Sequence, residues 1–249
     1  MDLSKIKFPS EPKPYDNAAI GADPEAFLQI GPREILEPTL EVLGSPTCVG
    51  WAGSTKIVSD GAQIEFHPAP STCRGAVVDE IRLCLLLAQR VACTHKASLA
   101  ITPAIRLSPK CLAKLTPAAR QFGCDPDWSA YTLYTNQNAM DASKHPFRYG
   151  GGHIHIGCIT KTHIPAYTLT ADLTAGLLAT AMTSDVKASK TRRKRFGQAG
   201  CFREQPHGWE YRTLDNFWLL HPKLTYLFTG LVRDAVYLVH IHPRETKAL

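Results

Sequence analysis

The segment GGGHIHIG, residues 150–157, alternates polar and apolar side chains directly after a run of glycines. In a β-strand, successive side chains point to opposite faces of the sheet. His153 and His155 would therefore lie on one face, and Ile154 and Ile156 on the other. The isoleucines predict a strand that covers a hydrophobic core. The aligned histidines need a partner on the opposite face, and the glycines allow close backbone approach or a positive φ angle.

Three further segments place charged side chains at alternating positions in the same way. They carry Asp23 and Glu25 in GADPEAFL, Glu65 in DGAQIEFHPAP, and Glu210 and Arg212 in GWEYR. Charged side chains are seldom buried unless they are paired or bind a metal. One strand of this kind can simply turn its polar face to water. Four such strands together predict a divalent metal site.

The residue types leave two kinds of metal open. Two histidines, such as His153 and His155, with a carboxylate suit Zn²⁺. A group richer in carboxylates suits Mg²⁺ or Mn²⁺, usually with phosphate oxygens completing the shell. Nearby arginines favour phosphate, because the planar guanidinium group matches its oxygens. They are Arg203 and Arg212 beside Glu210, and Arg192, Arg193 and Arg195 upstream. Carboxylates, a metal and arginines together predict phosphoryl transfer.

Hydrophobic periodicity predicts a chain that mixes strands and helices. A β-hairpin is expected across Asp60-Gly61, and two short strands are expected to join through residues 205–208. Residues 18–30 predict one strand with an edge position or a bulge at Pro24. Three- and four-residue spacing predicts helices over 74–95, 165–183 and 222–239. The mixture favours an α+β fold on a largely antiparallel sheet, and the chain has neither a GxGxxG nor a Walker motif.

Composition and charge narrow the class of protein. Residues 1–18 predict an irregular arm, and 19–249 are expected to form a single domain. No apolar run approaches the roughly 18 residues of a membrane span, and the polar N-terminus lacks a signal-peptide core. The eight cysteines include no CxxC pair and predict reduced, buried side chains in a cytoplasmic protein. Much of the net charge of +6 lies in the run 187–197, typical of a solvated face or a polyanion contact.

Several motifs, in this order, resemble the phage COOH-NH2 ligase (amidoligase) type 2 family of the glutamine synthetase/glutamate–cysteine ligase superfamily. They are GADPEAFL, DGAQIEFHPAP, FGCDPDW, GGHIHIG and FGQAGCFREQPHGWEYRTLDNFW, and the resemblance covers roughly residues 20–220. It implies a glutamine synthetase catalytic-domain-like fold, with a curved, mostly antiparallel sheet, helices on its outer face and the site on its concave face. It also implies an ATP-dependent ligase that joins a carboxylate to an amine, in the host cytoplasm if phage-encoded.

The resemblance also implies roles for individual residues. The expected metal ligands are Glu25, Glu65, His153, Glu210 and Asp23. Asp23 stands where glutamine synthetases carry the longer Glu, so direct and water-mediated contact with the metal both stay open. Arg203, Arg212 and Glu210 are the expected catalytic residues. ATP, with Mg²⁺ or Mn²⁺, is expected to contact Arg193, Arg195, Arg203 and His155. The expected mechanism activates the carboxylate as an acyl phosphate, and the basic run is expected to form a closing loop or a phosphate contact.

Other functions stay open at this point. A zinc-dependent hydrolase could use His153 and His155, with Glu210 as general base. A nucleic-acid-binding module could use residues 187–195, and a ligase with a nucleic-acid acceptor would combine two of these functions. Asp125 and Asp127 predict turns, or less readily an ammonium contact. The carboxylate and the amine could be small molecules or peptides, and the sequence leaves the oligomeric state open.

Overall fold

A computed structural model describes residues 18–44, 55–122, 127–136, 142–157 and 159–241. Of the predicted arm 1–18, only Ala18 lies in these ranges, and its side chain is buried. Asp125, Cys48, Cys124 and Cys158 lie outside the described residues. The single-domain prediction for 19–249 stays a prediction.

The described residues form short strands and helices of mixed length. The strands are β1 Ile20–Ala22, β2 Glu25–Gly31, β3 Glu34–Leu36, β4 Lys56–Asp60, β5 Gln63–His67, β6 Ser98–Ala100, β7 Ala104–Arg106, β8 Asp127–Ser129, β9 Thr135–Asn136, β10 Phe147–Tyr149, β11 Ile154–Gly157, β12 Cys201–Gln205 and β13 Gly208–Tyr211. The α-helices are α1 Leu40–Leu43, α2 Arg74–Thr94, α3 Pro109–Lys114, α4 Pro117–Arg120, α5 Ile164–Ala171, α6 Leu177–Met182, α7 Val186–Arg193 and α8 Pro222–Ile241. A π-helical segment, Asp172–Gly176, joins α5 to α6.

Every strand pairing in the described part of the chain is antiparallel. One sheet has the order β1-β11-β13-β12-β8-β9, and a second has the order β3-β2-β5-β4 with β6 added to β2. β10 pairs with β7. The α+β class with an antiparallel sheet is confirmed, and so are the hairpin β4–β5 and the strand pair β12–β13.

The first sheet covers the larger hydrophobic core with its apolar face. Ile154, Ile156, Trp209 and Tyr211 are buried there, as the alternating pattern of β11 predicts. Helices α5 and α8 pack against each other and against this sheet, and α2 packs against α8. Because side chains alternate along a strand, the neighbouring positions of β11 and β13 face the other way and are free to carry polar chemistry.

The first predicted strand is wrong in one respect: residues 18–30 form two strands, not one. β1 pairs with β11 in the first sheet, and β2 pairs with β3, β5 and β6 in the second. The break falls at Asp23-Pro24, where Pro24 offers a carbonyl to Phe66 N at 2.9 Å but has no N–H to donate. The chain therefore crosses between sheets at this point, and β2 is not an edge strand.

The three glycines before His153 are required by close packing. A Cβ on Gly150 would lie 2.7 Å from Thr102 O, and one on Gly152 would collide with Asp215 O. Trp218 Nε1 donates to Gly152 O at 3.0 Å, which holds this backbone against the turn that follows β13. None of the three has a positive φ angle, so close approach is the reason for these glycines.

The basic run does not form the predicted loop over its first half. Residues 186–193 are helix α7, which begins at Asp185, whose carboxylate accepts from Ala188 N at 3.0 Å. Asp185 at the N-cap satisfies one of the unpaired N–H groups of the first turn. The buried residues of this helix are Ala188, Ser189 and Arg192, so one face packs inward.

Other elements follow the sequence with small differences. The helix predicted over 165–183 is α5, the π segment and α6 together. The five described cysteines are all free, with Cys84, Cys111 and Cys201 buried. The prediction of burial is wrong for Cys73 and Cys93, which are exposed. Within the described ranges, no helix combines the length and the apolarity needed to cross a bilayer.

The contribution of α2 to the free energy of unfolding can be measured by comparing a buried and an exposed position of this helix. Ile81 is 1% exposed and Leu86 is 67% exposed. Ile81→Ala is expected to lower the free energy of unfolding by about 2–5 kcal/mol, because it removes buried methylene groups and leaves a cavity. Leu86→Ala is expected to change it by less than about 0.5 kcal/mol. Urea denaturation monitored by circular dichroism checks both values, and equal effects of the two substitutions would contradict this packing.

Thiol reactivity is expected to follow the burial of each cysteine. Burial, and secondarily the nearby Glu80 charge, raises the pKa of Cys84 to about 12. At about pH 8 its thiol is therefore protonated as well as inaccessible. Labelling of the folded protein with iodoacetamide, followed by peptide mass spectrometry, is expected to modify Cys73 and Cys93 and to spare Cys84. Labelling of Cys84 at the rate of Cys93 would contradict the structure.

Candidate functional site

The register of the first sheet aligns the polar residues of three strands. Gly21 lies opposite His155, His155 opposite Glu210, and Glu210 opposite Arg203. Residues that are directly opposite in an antiparallel sheet share a face. His155, Glu210 and Arg203 therefore form one row on the face opposite the core, and Gly21 leaves space at the end of this row.

The crossing between sheets brings the remaining acidic residues to the same place. Asp23 and Glu25 flank Pro24, and Glu25 lies opposite Glu65 in the second sheet. The backbone of Glu25 is held by Asn216 Nδ2, which donates to its carbonyl at 2.8 Å. Its carboxylate accepts from Gly151 N at 2.6 Å. Glu25 of the second sheet is thereby hydrogen-bonded to the glycine segment that precedes β11.

Asp23, His155 and Glu210, here called the mixed cluster, can offer ligand atoms that all lie within 4.8 Å of one another. Asp23 Oδ1 lies 3.1 Å from His155 Nε2. Both atoms are buried, and neither makes a hydrogen bond of acceptable geometry. Two polar atoms buried in this way and aimed at each other match the arrangement that a bound cation would satisfy.

Charges inside the mixed cluster favour its ionised forms. Burial raises the pKa of Asp23, but the charges of His155 and His153 outweigh it and hold the pKa well below the usual value. For His155, burial lowers the pKa, but Asp23 and Glu210 raise it to a net value above normal. For Glu210, burial and Asp23 raise the pKa, but Arg212 and the histidines bring it below normal.

Glu25, Asp60 and Glu65, here called the acidic cluster, also offer ligand atoms within 4.8 Å of one another. Burial and then the charges of Asp60 and Glu65 raise the pKa of Glu25 well above its usual value, against the opposing hydrogen bond from Gly151. Burial likewise raises the pKa of Glu65, although His67 opposes the shift. Carboxylates in close contact disfavour joint ionisation unless a cation neutralises them.

His153 lies between the two predicted sets of ligands. Its Nδ1 is 3.3 Å from Asp23 Oδ1 and 3.4 Å from Glu210 Oε1. Its Nε2 is 3.5 Å from Arg192 Nη2. The structure therefore surrounds both ring nitrogens of His153 with protein groups, whereas it is His155 that joins Asp23 and Glu210 in the mixed cluster.

Arg203 and Arg212 both reach Glu210, as their flanking positions in the sequence predict. Arg212 forms ion pairs with Glu210 and Asp127 and is 2% exposed. Arg203 Nη1 lies 3.9 Å from Glu210 Oε2, and its side chain is 28% exposed. Gln205 Nε2 donates to the same oxygen at 2.6 Å. The turn interpretation is wrong for Asp127, which begins β8 and balances the charge of Arg212.

The arginines of α7 and of the turn that follows it lie in three different surroundings. Arg193 donates to Ser189 Oγ at 2.7 Å and lines a different cavity, beside Asp172 and Leu177. Arg195 interacts with Tyr149. Arg192 lies nearest to His153 and Arg212 and is 2% exposed. Arg192, one of the arginines that favour phosphate but not one of the expected ATP contacts, thus lines the cavity beside Glu25 and Asp60, whereas Arg193 does not.

Two hollows border the clusters. The inner cavity has a free volume of about 30 Å³ and is lined by Glu25, Asp60, Tyr149, His153, Arg192 and Phe196, among others. The outer cleft has a volume of about 520 Å³ and is lined by Asp23, Glu65, His67, His155 and His207, among others. Glu25 of β2 and Asp60 of β4 therefore line the narrow space, whereas Asp23 and Glu65 line the wide one.

Three residues of this region are not among the predicted metal ligands or ATP contacts, for different reasons. Asp60 reads as a turn residue, because Asp-Gly is a strong hairpin signal. Asp127 and Arg192 lie in segments with no alternating polar pattern, and only the tertiary structure brings them to the site. The sequence does place Asp60 near Glu65, because it stands five residues before Glu65 on β4, the hairpin partner of β5.

The two clusters differ in the metals that they fit. The acidic cluster offers only carboxylate oxygens, which suit Mg²⁺ or Mn²⁺. The mixed cluster offers one imidazole and two carboxylates. Neither of these groups, found among the described residues, holds the two histidines that a His₂-carboxylate zinc site requires.

Comparison with known families finds one match, to the second half of the chain. A model of the family described as phage phiEco32-like COOH.NH2 ligase-type 2 matches residues 132–245. The matched segment contains His153, His155, Arg203, Glu210 and Arg212, whereas Asp23, Glu25, Asp60 and Glu65 precede it. No curated protein matches the chain. The match confirms the resemblance that the motifs indicate, to the COOH-NH2 ligase type 2 family, and supports a carboxylate–amine ligase in general.

Proposed function

We propose that this protein is an ATP- and Mg²⁺-dependent carboxylate–amine ligase that forms an amide bond through an acyl phosphate. The observation that carries the proposal is the pair of carboxylate clusters beside Arg203 and Arg212, in a chain whose second half matches a ligase family. A carboxylate is a poor electrophile, so its activation by phosphoryl transfer needs the charges of both reactants to be neutralised.

The proposed architecture is that of the glutamine synthetase catalytic domain. An antiparallel sheet with helices on its apolar face and the polar residues on the other supports this proposal. The site residues come from both sheets, and they converge where the chain crosses at Asp23-Pro24.

Both clusters are proposed to hold Mg²⁺, with Mn²⁺ as the next best fit. Glu25, Asp60 and Glu65 would hold one ion, and Asp23, His155 and Glu210 another. The bound ions would supply positive charge that neutralises the phosphate groups of ATP. The fit rests on the close approach of the buried atoms Asp23 Oδ1 and His155 Nε2, 3.1 Å apart, and on the raised pKa values of Glu25 and Glu65.

The arginines are proposed to act on the transferring phosphoryl group. Glu210 and Asp127 hold the Arg212 guanidinium in a fixed orientation, so it needs little reorganisation as charge develops. The more exposed Arg203 lies on the neighbouring strand. A well-placed donor of this kind typically contributes about 3–4 kcal/mol of transition-state stabilisation. Burial of Arg212 and Glu210 also limits the access of water, which would otherwise hydrolyse an acyl phosphate.

The other functions have less support. A zinc-dependent hydrolase would need His153 and His155 on one ion, but neither group of converging ligand atoms among the described residues contains His153. A nucleic-acid-binding module would use the run 187–195, yet Arg192 is buried and the acidic clusters would stay unexplained. The family match supports neither function.

Metal binding is expected to depend on Asp60, which the sequence pattern did not single out. Asp60→Asn removes one charged ligand from the acidic cluster and is expected to weaken Mn²⁺ binding at one site by more than about 10-fold, because losing even a partner that only orients a ligand costs that much. Electron paramagnetic resonance of free Mn²⁺ measures the change. Asp79→Asn, at an exposed position of α2, is the control and is expected to bind as the unsubstituted protein does. Equal Mn²⁺ binding by the two variants would contradict the role of Asp60.

Carboxylate activation can be detected without knowing the amine. Hydroxylamine intercepts an acyl phosphate as a hydroxamate, so a panel of amino acids and short peptides can be screened with ATP and Mg²⁺. For an accepted carboxylate, Glu210→Gln is expected to lower hydroxamate formation by at least about 100-fold, the effect of losing a preorganised charged group. Glu204→Gln, an exposed position on β12, is the control. Hydroxamate formation that does not need ATP, or that survives Glu210→Gln, would contradict the proposed function.

A further inference from the structure

The inner cavity contains a buried cation that the proposed catalytic steps do not use. Arg192 lies in the last turn of α7 and is 2% exposed. Its Nη1 donates to Thr213 O at 3.3 Å, and its Nη2 lies 3.4 Å from Arg212 O and 3.5 Å from His153 Nε2. Its Nε is buried and has no hydrogen-bond partner among the described residues. All of its contacts are long and are made to groups without negative charge.

No carboxylate of the described chain forms an ion pair with Arg192. Asp127 is paired with Arg212. Asp215 accepts from Ser189 Oγ at 2.6 Å and from Phe217 N at 3.1 Å. Asp127, Asp215 and Glu25 act on Arg192 only from a distance, and burial lowers its pKa in spite of them. A buried guanidinium group without a counter-ion is costly, so the cavity is suited to an anion from solution.

The size and walls of the inner cavity restrict that anion. About 30 Å³ of free space accommodates one or two water-sized groups, which is the size of a carboxylate head group. Beside it stand three aromatic rings, Phe122, Tyr149 and Phe196, with centroids 5.3–5.9 Å apart. Arg148 and Arg212 also line the cavity, but Arg148 donates to the backbone carbonyls of Ala119 and Arg120, and Arg212 pairs with Asp127 and Glu210. The apolar wall beside Arg192 suits a carboxylate on a hydrocarbon group better than the more hydrated inorganic phosphate.

We propose that Arg192 binds the carboxylate substrate of the ligase in the inner cavity, through the N–H groups of its guanidinium. This inference rests on the proposed function. The planar guanidinium group presents two parallel donors to a carboxylate, a geometry that a lysine does not reproduce. Glu25 and Asp60 line the same cavity, so a carboxylate held by Arg192 lies beside the acidic cluster.

The placement separates the two reactants. The inner cavity is narrow and is lined by Arg192 and the aromatic rings, whereas the outer cleft is wide and is lined by Asp23 and His155 of the mixed cluster. The carboxylate would enter the first, which leaves the larger space for ATP. Arg192 therefore selects for a substrate with a free carboxylate on an apolar group, and Phe196 in the turn after α7 contributes to that selection.

The test uses ¹³C-acetate as the probe and the full-length protein. Binding of acetate broadens its ¹³C resonance, and a titration gives the Kd. Arg192→Gln is expected to weaken binding by at least about 10-fold, the usual effect of losing hydrogen bonds to a charged group. Lys190→Gln removes the same charge from an exposed position of α7 and is expected to leave the Kd unchanged. Binding of ATP with Mg²⁺, measured by calorimetry, is expected to be the same in both variants.

Further arms of the experiment keep the inference falsifiable. If Arg192→Gln does not fold by circular dichroism, Arg192→Lys decides, because it keeps the charge but loses the paired donors; its acetate Kd is expected to rise at least about 3-fold. An unchanged Kd in the folded variants would overturn the inference. So would broadening of the ³¹P resonance of inorganic phosphate that depends on Arg192 while acetate shows none. If ATP with Mg²⁺ fails to bind any form of the protein, the proposed function fails instead.

Discussion

The antiparallel pairing of β11 with β13 is the constraint on which the rest of the site depends. It sets His155 opposite Glu210 and Ile156 opposite Trp209. Because side chains alternate along each strand, this register sends the apolar pair to the core and the polar pair to the site. A slip of one residue would exchange the two faces and bury charges among the helices. The requirement for an apolar core therefore also places the polar row of the site.

Electrostatics divides the site into two parts with different needs. In the mixed cluster, histidines and Arg212 compensate the carboxylates, and the pKa values of Asp23 and Glu210 fall below normal. In the acidic cluster, burial and like charges raise the pKa of Glu25. A divalent cation would reverse this second shift, since it favours the ionised carboxylates. Arg192 lines the same inner cavity as Glu25 and Asp60. A carboxylate substrate there would lie between two positive charges, the Arg192 guanidinium and the cation held by the acidic cluster.

Much of this arrangement could be predicted from alternation alone. The pattern of GGHIHIG and GWEYR identifies the strands, their buried faces and the residues that face the site, because a period of two is a local property. The break at Pro24 was missed, since a strand that crosses between sheets has the same local pattern as one that continues. Asp60 and Arg192 stand outside the predicted ligands and ATP contacts, because their places depend on tertiary structure: Asp60 lies beside Glu25, and Arg192 beside His153. The first half of the basic run is a helix and not the predicted loop, and its buried Arg192 gives this helix an inward face.

The central claim is that these acids bind ATP through magnesium, and calorimetric titration of ATP into the metal-stripped protein tests it most directly. The titration is run with Mg²⁺, with Zn²⁺ and with neither ion, and is repeated on Glu210→Ala. The account predicts ATP binding with Mg²⁺, none without a metal, and loss of binding in the variant, because buried carboxylates repel phosphate unless a cation lies between them. If ATP binds under no condition while Zn²⁺ alone binds tightly, the account is contradicted and a zinc hydrolase becomes the better description.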